Sequence, residues 1–123
     1  MDMSDPGDVL VSVVVVNFNT PELVLACVRS LRCHLAVPHE VIVVESGVDR
    51  PLPAAMVAEA GIRHIPGDAR RGFGQANNLG AAAARGRYLW LLNSDTIVPD
   101  GRVNGVFALL DRHPDFGLLT PVL

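Results

Sequence analysis

The stretch "VLVSVVVVNFNTPELVLACVRSLRCHL", residues 9–35, decides the fold. Its first nine residues, Val9 to Asn17, are mostly β-branched and almost wholly apolar. Branching at Cβ favours extended backbone, and apolar residues at both parities read as a strand covered on two faces. The polarity then changes at Asn17, and the period changes with it. Thr20 suits the N-cap, Pro21 the first helical position and Glu22 the positive end of a helix. Leu23, Cys27, Val28, Leu31 and Leu35 follow at helical spacing.

The same grammar repeats downstream. "EVIVVES" (40–46) reads as a second buried strand and "GVDRPLP" (47–53) as a loop with three breakers. "AAMVAEAG" is a short helix closed by Gly61, and "IRHIP" (62–66) a short strand. "GDARRGFGQ" is a polar loop, and "QANNLGAAAARG" a small-residue helix ending at Gly86. Tyr88 to Leu92 reads as a strand buried on both faces, residues 100–115 as a last helix and residues 116–123 as a last strand. Residues 1–8 are expected to be a disordered tail, with one domain over 9–123. Strand and helix alternate without a hairpin signal, which predicts an α/β fold: a Rossmann-like, mostly parallel sheet flanked by helices. In such sheets ligands bind at the carboxyl ends of the strands, at a topological switch point. Asn17, Glu45 and Asp95 each stand at a predicted strand end, so the architecture gathers them along one edge.

Composition narrows the function classes. The chain has 123 residues, 50% of them hydrophobic and 19% charged, which predicts a folded domain of modest core. A net charge of -3 without a basic stripe argues against nucleic acid as a partner. The polar, acidic start is unlike a signal peptide, and no apolar run approaches the ~20 residues of a membrane span. Cys27 and Cys33, six apart on one predicted helix, point to different faces. They read as reduced thiols, consistent with a cytoplasmic setting. The four histidines are scattered and read as non-catalytic. Tyr88 and Trp90 read as core.

Known catalytic signatures are mostly absent. No glycine follows the first strand, so the dinucleotide fingerprint GxGxxG is missing where it would act. "GFGQAN" (72–77) has two of the three glycines and lies far downstream. There is no P-loop and no GxSxG elbow. What remains is "LLNSDT" (91–96), a carboxylate among amide and hydroxyl groups at the end of a hydrophobic strand. Such oxygen donors suit Mg²⁺ or Mn²⁺, which one or two carboxylates and substrate phosphates often hold together. An ordinary Asx-turn is the competing reading of these residues.

Four pieces, in order, carry a resemblance over more than a hundred residues. They are "VSVVVVNFNTPELVLACVRSL", "EVIVVESG", "RRGFGQANNLGAAAARGRYLWLLNSDT" and "DFGLLTPVL". The chain resembles the N-terminal, nucleotide-sugar-binding part of family 2 glycosyltransferases of the GT-A fold. The third piece is similar to the rhamnosyltransferase-like branch, with NSD where the family has its Asp-x-Asp-type motif.

The resemblance implies roles. Asp95 would be the ligand of Mn²⁺ or Mg²⁺, and Asn93 would reach ribose or diphosphate. Asn17, Phe18 and Asn19 would line the base pocket. Glu45 would face nucleobase and ribose, Arg71 would contact base or diphosphate, and Asn78 would lie on the helix beneath the donor. The bland alternatives are a strand end for Asn17, a solvated acid for Glu45 and a surface charge for Arg71. The resemblance further implies inverting transfer of a sugar from a nucleoside-diphosphate donor, dTDP-rhamnose or a UDP-sugar, to a glycan or lipid-linked acceptor. The full enzyme is expected at the cytoplasmic face of the membrane.

Three residues depart from the family's pattern: "VVES" replaces the usual "VVDN" at Glu45 and Ser46, and NSD has Asn93 where the motif has its first carboxylate. The catalytic base is expected beyond Leu123, so these residues would hold a donor site without completing transfer. An apolar face left uncovered would drive self-association. A non-catalytic α/β nucleotide-binding or protein-interaction module is the alternative reading.

Overall fold

The computed structural model describes residues 8–68 and 71–120. Eight elements alternate: β1 (Val11–Asn17), α1 (Pro21–His34), β2 (His39–Glu45), α2 (Ala54–Ala60), β3 (Arg63–Ile65), α3 (Phe73–Ala83), β4 (Tyr88–Leu92) and α4 (Val103–Arg112). The strands form one sheet in the order β3-β2-β1-β4, and every pairing is parallel. The chain therefore steps outward from β1 to β3 and then returns past β1 to place β4 on its other side. That reversal is the topological switch point, between β1 and β4.

Parity divides the core into two layers. Val11, Val13 and Val15 of β1 join Val41 and Val43 of β2 beneath α1 (Val24, Val28, Leu31) and Phe107 of α4. Val14, Val16, Ile42 and Val44 face the other way, onto Ala76 of α3. Helix α3 can lie this close because residue 80 is glycine: a Cβ there would stand 2.4 Å from Val14 Cγ1. Helix α2 ends as expected at Gly61, whose φ of 63° is the left-handed region that glycine enters freely.

Several expectations are corrected. Helix α1 buries Val24, Leu25, Cys27, Val28 and Leu31, while Leu23 is exposed. Thr20 occupies the N-cap position but makes no side-chain cap bond; its N–H instead donates to Asn17 Oδ1 at 2.9 Å. Helix α3 begins at Phe73 and stops at Ala83, short of Gly86, whose N–H donates to Ser12 Oγ at 2.8 Å.

Strand β4 is covered on one face only. Tyr88 and Trp90 pack against Phe107, with ring centroids 6.2 and 6.0 Å away. Leu89 and Leu91 are 45% and 53% exposed, because α3 packs mainly over β1 and β2. Residues 116–120 are not a strand: Leu118 is 88% exposed and no ladder accepts their backbone groups among the described residues. The rest of that expected strand, 121–123, lies outside the described residues, as does the expected disordered tail apart from Asp8. Cys27 and Cys33 are both free, the first buried and the second exposed.

Candidate functional site

Strand β1 has a neighbour on each side, so its carboxyl end is flanked by the ends of β2 and β4. The register pairs Asn17 with Glu45 and brings Leu92 opposite Val15. With strands about 4.8 Å apart, the end of β2, the β1–α1 loop and the segment after β4 are contiguous along one edge.

Asn17 and Glu45 reach this edge but turn their side chains inward, toward the α1 and α2 layer. Asn17 is fully buried, and its Nδ2 donates to Glu45 Oε1 at 2.6 Å and to the Arg50 carbonyl at 3.1 Å. Glu45 is 1% exposed and accepts further bonds from Leu52 N–H at 2.9 Å and His64 Nε2 at 2.8 Å. Neither side chain presents itself to a ligand. Both side chains have an internal role in this structure, because three neighbouring donors satisfy the Glu45 carboxylate. Asn19 is also used internally. It holds a left-handed backbone, φ 57°, which asparagine tolerates. Its Oδ1 accepts from Asp49 N–H at 3.1 Å and Arg50 N–H at 3.0 Å. Asn17 and Asn19 thereby lace the β1–α1 loop to the β2–α2 loop. Phe18, between them, is pushed out and is 63% exposed.

Arg71 lies across the end of β2. Its Nη1 donates to the Glu45 carbonyl at 2.9 Å and the Pro66 carbonyl at 2.8 Å, while Ser46 Oγ donates to the Arg71 carbonyl at 2.9 Å. Nε and Nη2 have no protein partner among the described residues, so part of the guanidinium fork stays open. Asn78 is not brought to the edge. It stands about 200° around α3 from sheet-facing Ala76, and it is exposed on the outer side of the helix.

The segment after β4 is built differently. Thr96 closes it: its N–H and hydroxyl both donate to the Asn93 carbonyl, at 3.3 and 2.7 Å. Cys27 supports the turn from α1, with Sγ 3.7 Å from both the Asn93 carbonyl and Thr96 Oγ1. Burial pushes the Cys27 thiol's pKa up; the Thr96 hydrogen bond opposes this and the nearby Asp95 charge adds to it. The turn thus needs neither amide nor carboxylate. Asn93 and Asp95 are exposed, and the Asp95 carboxylate has no hydrogen-bond or ion-pair partner among the described residues. In an Asx-turn that carboxylate would accept a local N–H; here it is left to solvent. Among the described residues no three His, Cys, Asp or Glu side chains converge as a protein-only metal cage. One free carboxylate beside an exposed amide instead fits a hard cation shared with a phosphate ligand.

Sequence reasoning missed Cys27, Thr96 and His64 as supports of this edge. Thr96 carried a signal, since a hydroxyl three residues after Asn93 can close a turn. The other two depend on packing between elements.

The sequence signature described as "Glycosyl transferase family 2" matches residues 12–120. The chain belongs to glycosyltransferase family 2. It is 36% identical over 93 residues to the succinoglycan biosynthesis protein ExoO of Rhizobium meliloti, covering 73% of this chain and 27% of the relative. It is 28% identical over 102 residues to the glycosyltransferase GlyG of Streptococcus pneumoniae, covering 80% of this chain and 34% of the relative. The chain therefore spans about a third or less of the length of these curated relatives. Its fold matches that of S. aureus TarS, with a TM-score of 0.69 at 19% identity over 85% of this chain and 20% of that one. TarS 1–349 in complex with UDP gives a TM-score of 0.62 at 18% identity, over 85% of this chain and 33% of that one. The family 2 chain thus has the GT-A fold expected from its sequence.

Proposed function

We propose that this chain is the donor-binding part of an inverting, metal-dependent glycosyltransferase acting on a nucleoside-diphosphate sugar. The observation that carries the reading is the exposed carboxylate of Asp95 at the switch point, without a partner among the described residues, on a turn held by other groups. Asp95 would hold Mn²⁺ or Mg²⁺ together with the donor diphosphate, and Asn93 would reach diphosphate or ribose. When bound, the cation neutralises charge that builds on the departing diphosphate. Phe18 offers an exposed ring against which a nucleobase can stack, and the open side of the Arg71 guanidinium suits base or phosphate oxygens. An acceptor hydroxyl on a glycan or lipid-linked sugar would attack the anomeric carbon in line. Its proton would go to a carboxylate base other than Asp95 and Glu45. The rhamnosyltransferase-like third piece favours dTDP-rhamnose over UDP-sugars. Succinoglycan biosynthesis by one relative fits a role in polysaccharide biosynthesis, and UDP in the TarS complex fits a nucleoside-diphosphate donor; the full enzyme would act at the cytoplasmic face of the membrane.

Calorimetric titration with UDP and dTDP, with and without Mn²⁺, tests the reading. Wild type should bind in a Mn²⁺-dependent manner, and Asp95→Ala should weaken binding about tenfold or more with its circular dichroism unchanged. Equal affinity in the variant would remove Asp95 from the site.

The uncovered Leu89 and Leu91 favour a second reading, an interaction module that associates through β4. Light scattering should then find dimers that Leu91→Lys disperses. A monomer at millimolar concentration would exclude it.

A further inference from the structure

Glu45 carries three protein donors on a side chain that is 1% exposed. They come from three different places: Asn17 of β1, the Leu52 amide of the β2–α2 loop, and His64 of β3. With Glu45 as a carboxylate, which can only accept, His64 Nε2 is assigned as the donor of this hydrogen bond. Asn17 extends the arrangement, since its Oδ1 accepts the Thr20 N–H at 2.9 Å and its Nδ2 also donates to the Arg50 carbonyl at 3.1 Å. One acid thus ties together three adjacent strands and the two loops that follow β1 and β2.

We infer that Glu45 and His64 form a positioning pair for the donor site. Glu45 touches no nucleotide; it sets the loops 18–20 and 47–53 that face one. The inference deepens the donor-site reading and rests on it. Side-chain length is the physical argument. An aspartate on the same backbone would draw the carboxylate back by about 1.5 Å, one carbon–carbon bond. Contacts now at 2.8 Å to His64 and 2.9 Å to Leu52 would stretch beyond hydrogen-bonding range. The longer acid and the histidine that meets it therefore work as a unit. His64 stands at its outer side, with 23% of its side chain exposed.

The exchange of Glu for Asp separates the two roles open to this acid. An acid that reads a nucleobase should tolerate Glu45→Asp, which keeps the charge and restores the residue usual in the family. A positioning acid should not. The full chain would be read first without nucleotide, by amide hydrogen exchange. Glu45→Asp and His64→Leu should speed exchange at Leu52 and Thr20 about tenfold. His64→Gln, which keeps an N–H donor at the Nε2 position, should stay within about threefold of wild type. Titration with UDP and dTDP follows: Glu45→Asp should bind about fivefold more weakly or worse, and His64→Gln like wild type. Binding by Glu45→Asp as tight as wild type would overturn the inference, and so would unchanged exchange in His64→Leu. If wild type binds neither nucleotide, the donor-site reading falls, and exchange alone decides the pair: raised rates keep it as a clamp on two loops, unchanged rates remove it.

Discussion

Two acids end the two strands that flank β1, and their circumstances are opposite. Glu45, closing β2, is buried under three protein donors. Asp95, just past β4, is exposed and has no protein partner among the described residues. The sheet offers both the same kind of position, a strand end at the carboxyl edge. What differs is the supply of local donors. The β2 end is crossed by Asn17, Leu52 and His64, which use up the carboxylate. The turn after β4 is closed by Thr96 and Cys27, which leave the carboxylate over. A strand-end acid becomes architecture or site according to whether its neighbours can satisfy it.

Truncating each acid should break the comparison most sharply. Glu45→Ala strands two buried donors and a histidine, each costing about 1–3 kcal/mol, so a loss of about 3 kcal/mol is expected. Asp95→Ala removes a solvated group and should change stability by less than about 0.5 kcal/mol. Urea melts of both variants check this. Comparable losses would mean that Asp95 too is structural.

The opposite end of the sheet provides a control, an acid that is partnered yet only partly buried. Glu40 accepts from Ser12 Oγ at 2.5 Å, Arg85 N–H at 2.7 Å and Arg63 Nη1 at 2.6 Å. Burial alone would raise its pKa, but these hydrogen bonds and the Arg63 charge outweigh it and hold the carboxyl below the usual range. A depressed folded pKa gives stability that is complete above the unfolded value, about 4.3, and lost as pH falls through the folded one. Glu40→Gln should cost about 2 kcal/mol at pH 7. The gap from wild type should narrow as pH falls below 4.5, and a gap constant from pH 7 to 3 would contradict this account.

How much of this was legible beforehand follows from the range of the interactions. The valine runs and helical periods announced the alternation of strands and helices, because burial and period are local properties of the chain. The gathering of residues 17, 45 and 95 along one edge followed from parallel topology alone. The fate of each carboxylate did not. Glu45 meets His64 only because β2 and β3 pair in the register Val43 to His64, which loop lengths and packing set. Asp95 has no partner among the described residues because Cys27, on α1, and Thr96 support its turn instead. The exposed face of β4 was hidden for the same reason: its sequence is apolar at both parities, and only the placement of α3 tells which side is covered. Residues 116–120 read as a strand by composition but find no ladder to join.

Thr96→Val sharpens the Asp95 side of the comparison. It keeps the shape of the side chain and deletes the hydroxyl that donates to the Asn93 carbonyl at 2.7 Å. Because that carbonyl also accepts the Thr96 N–H, the turn should loosen at a cost of about 1 kcal/mol. Mn²⁺-dependent nucleotide affinity should fall more than stability does, since a mobile turn presents Asp95 in many orientations.

The smallest effect concerns the thiol beneath that turn. Thiolate, not thiol, reacts with alkylating reagents. Cys27 is buried and its pKa is pushed up, so it should stay protonated and out of reach at neutral pH. Cys33, on the same helix, is exposed. Iodoacetamide should therefore modify Cys33 first, and mass spectrometry of peptides should find Cys27 intact in the folded chain. In Thr96→Val the pKa of Cys27 loses the one influence that lowers it, the Thr96 hydrogen bond, while the packing above it loosens. If opening of the turn governs access, Cys27 should react faster in that variant despite its higher pKa. A slower reaction would mean that thiol ionisation, and not the turn, sets the rate.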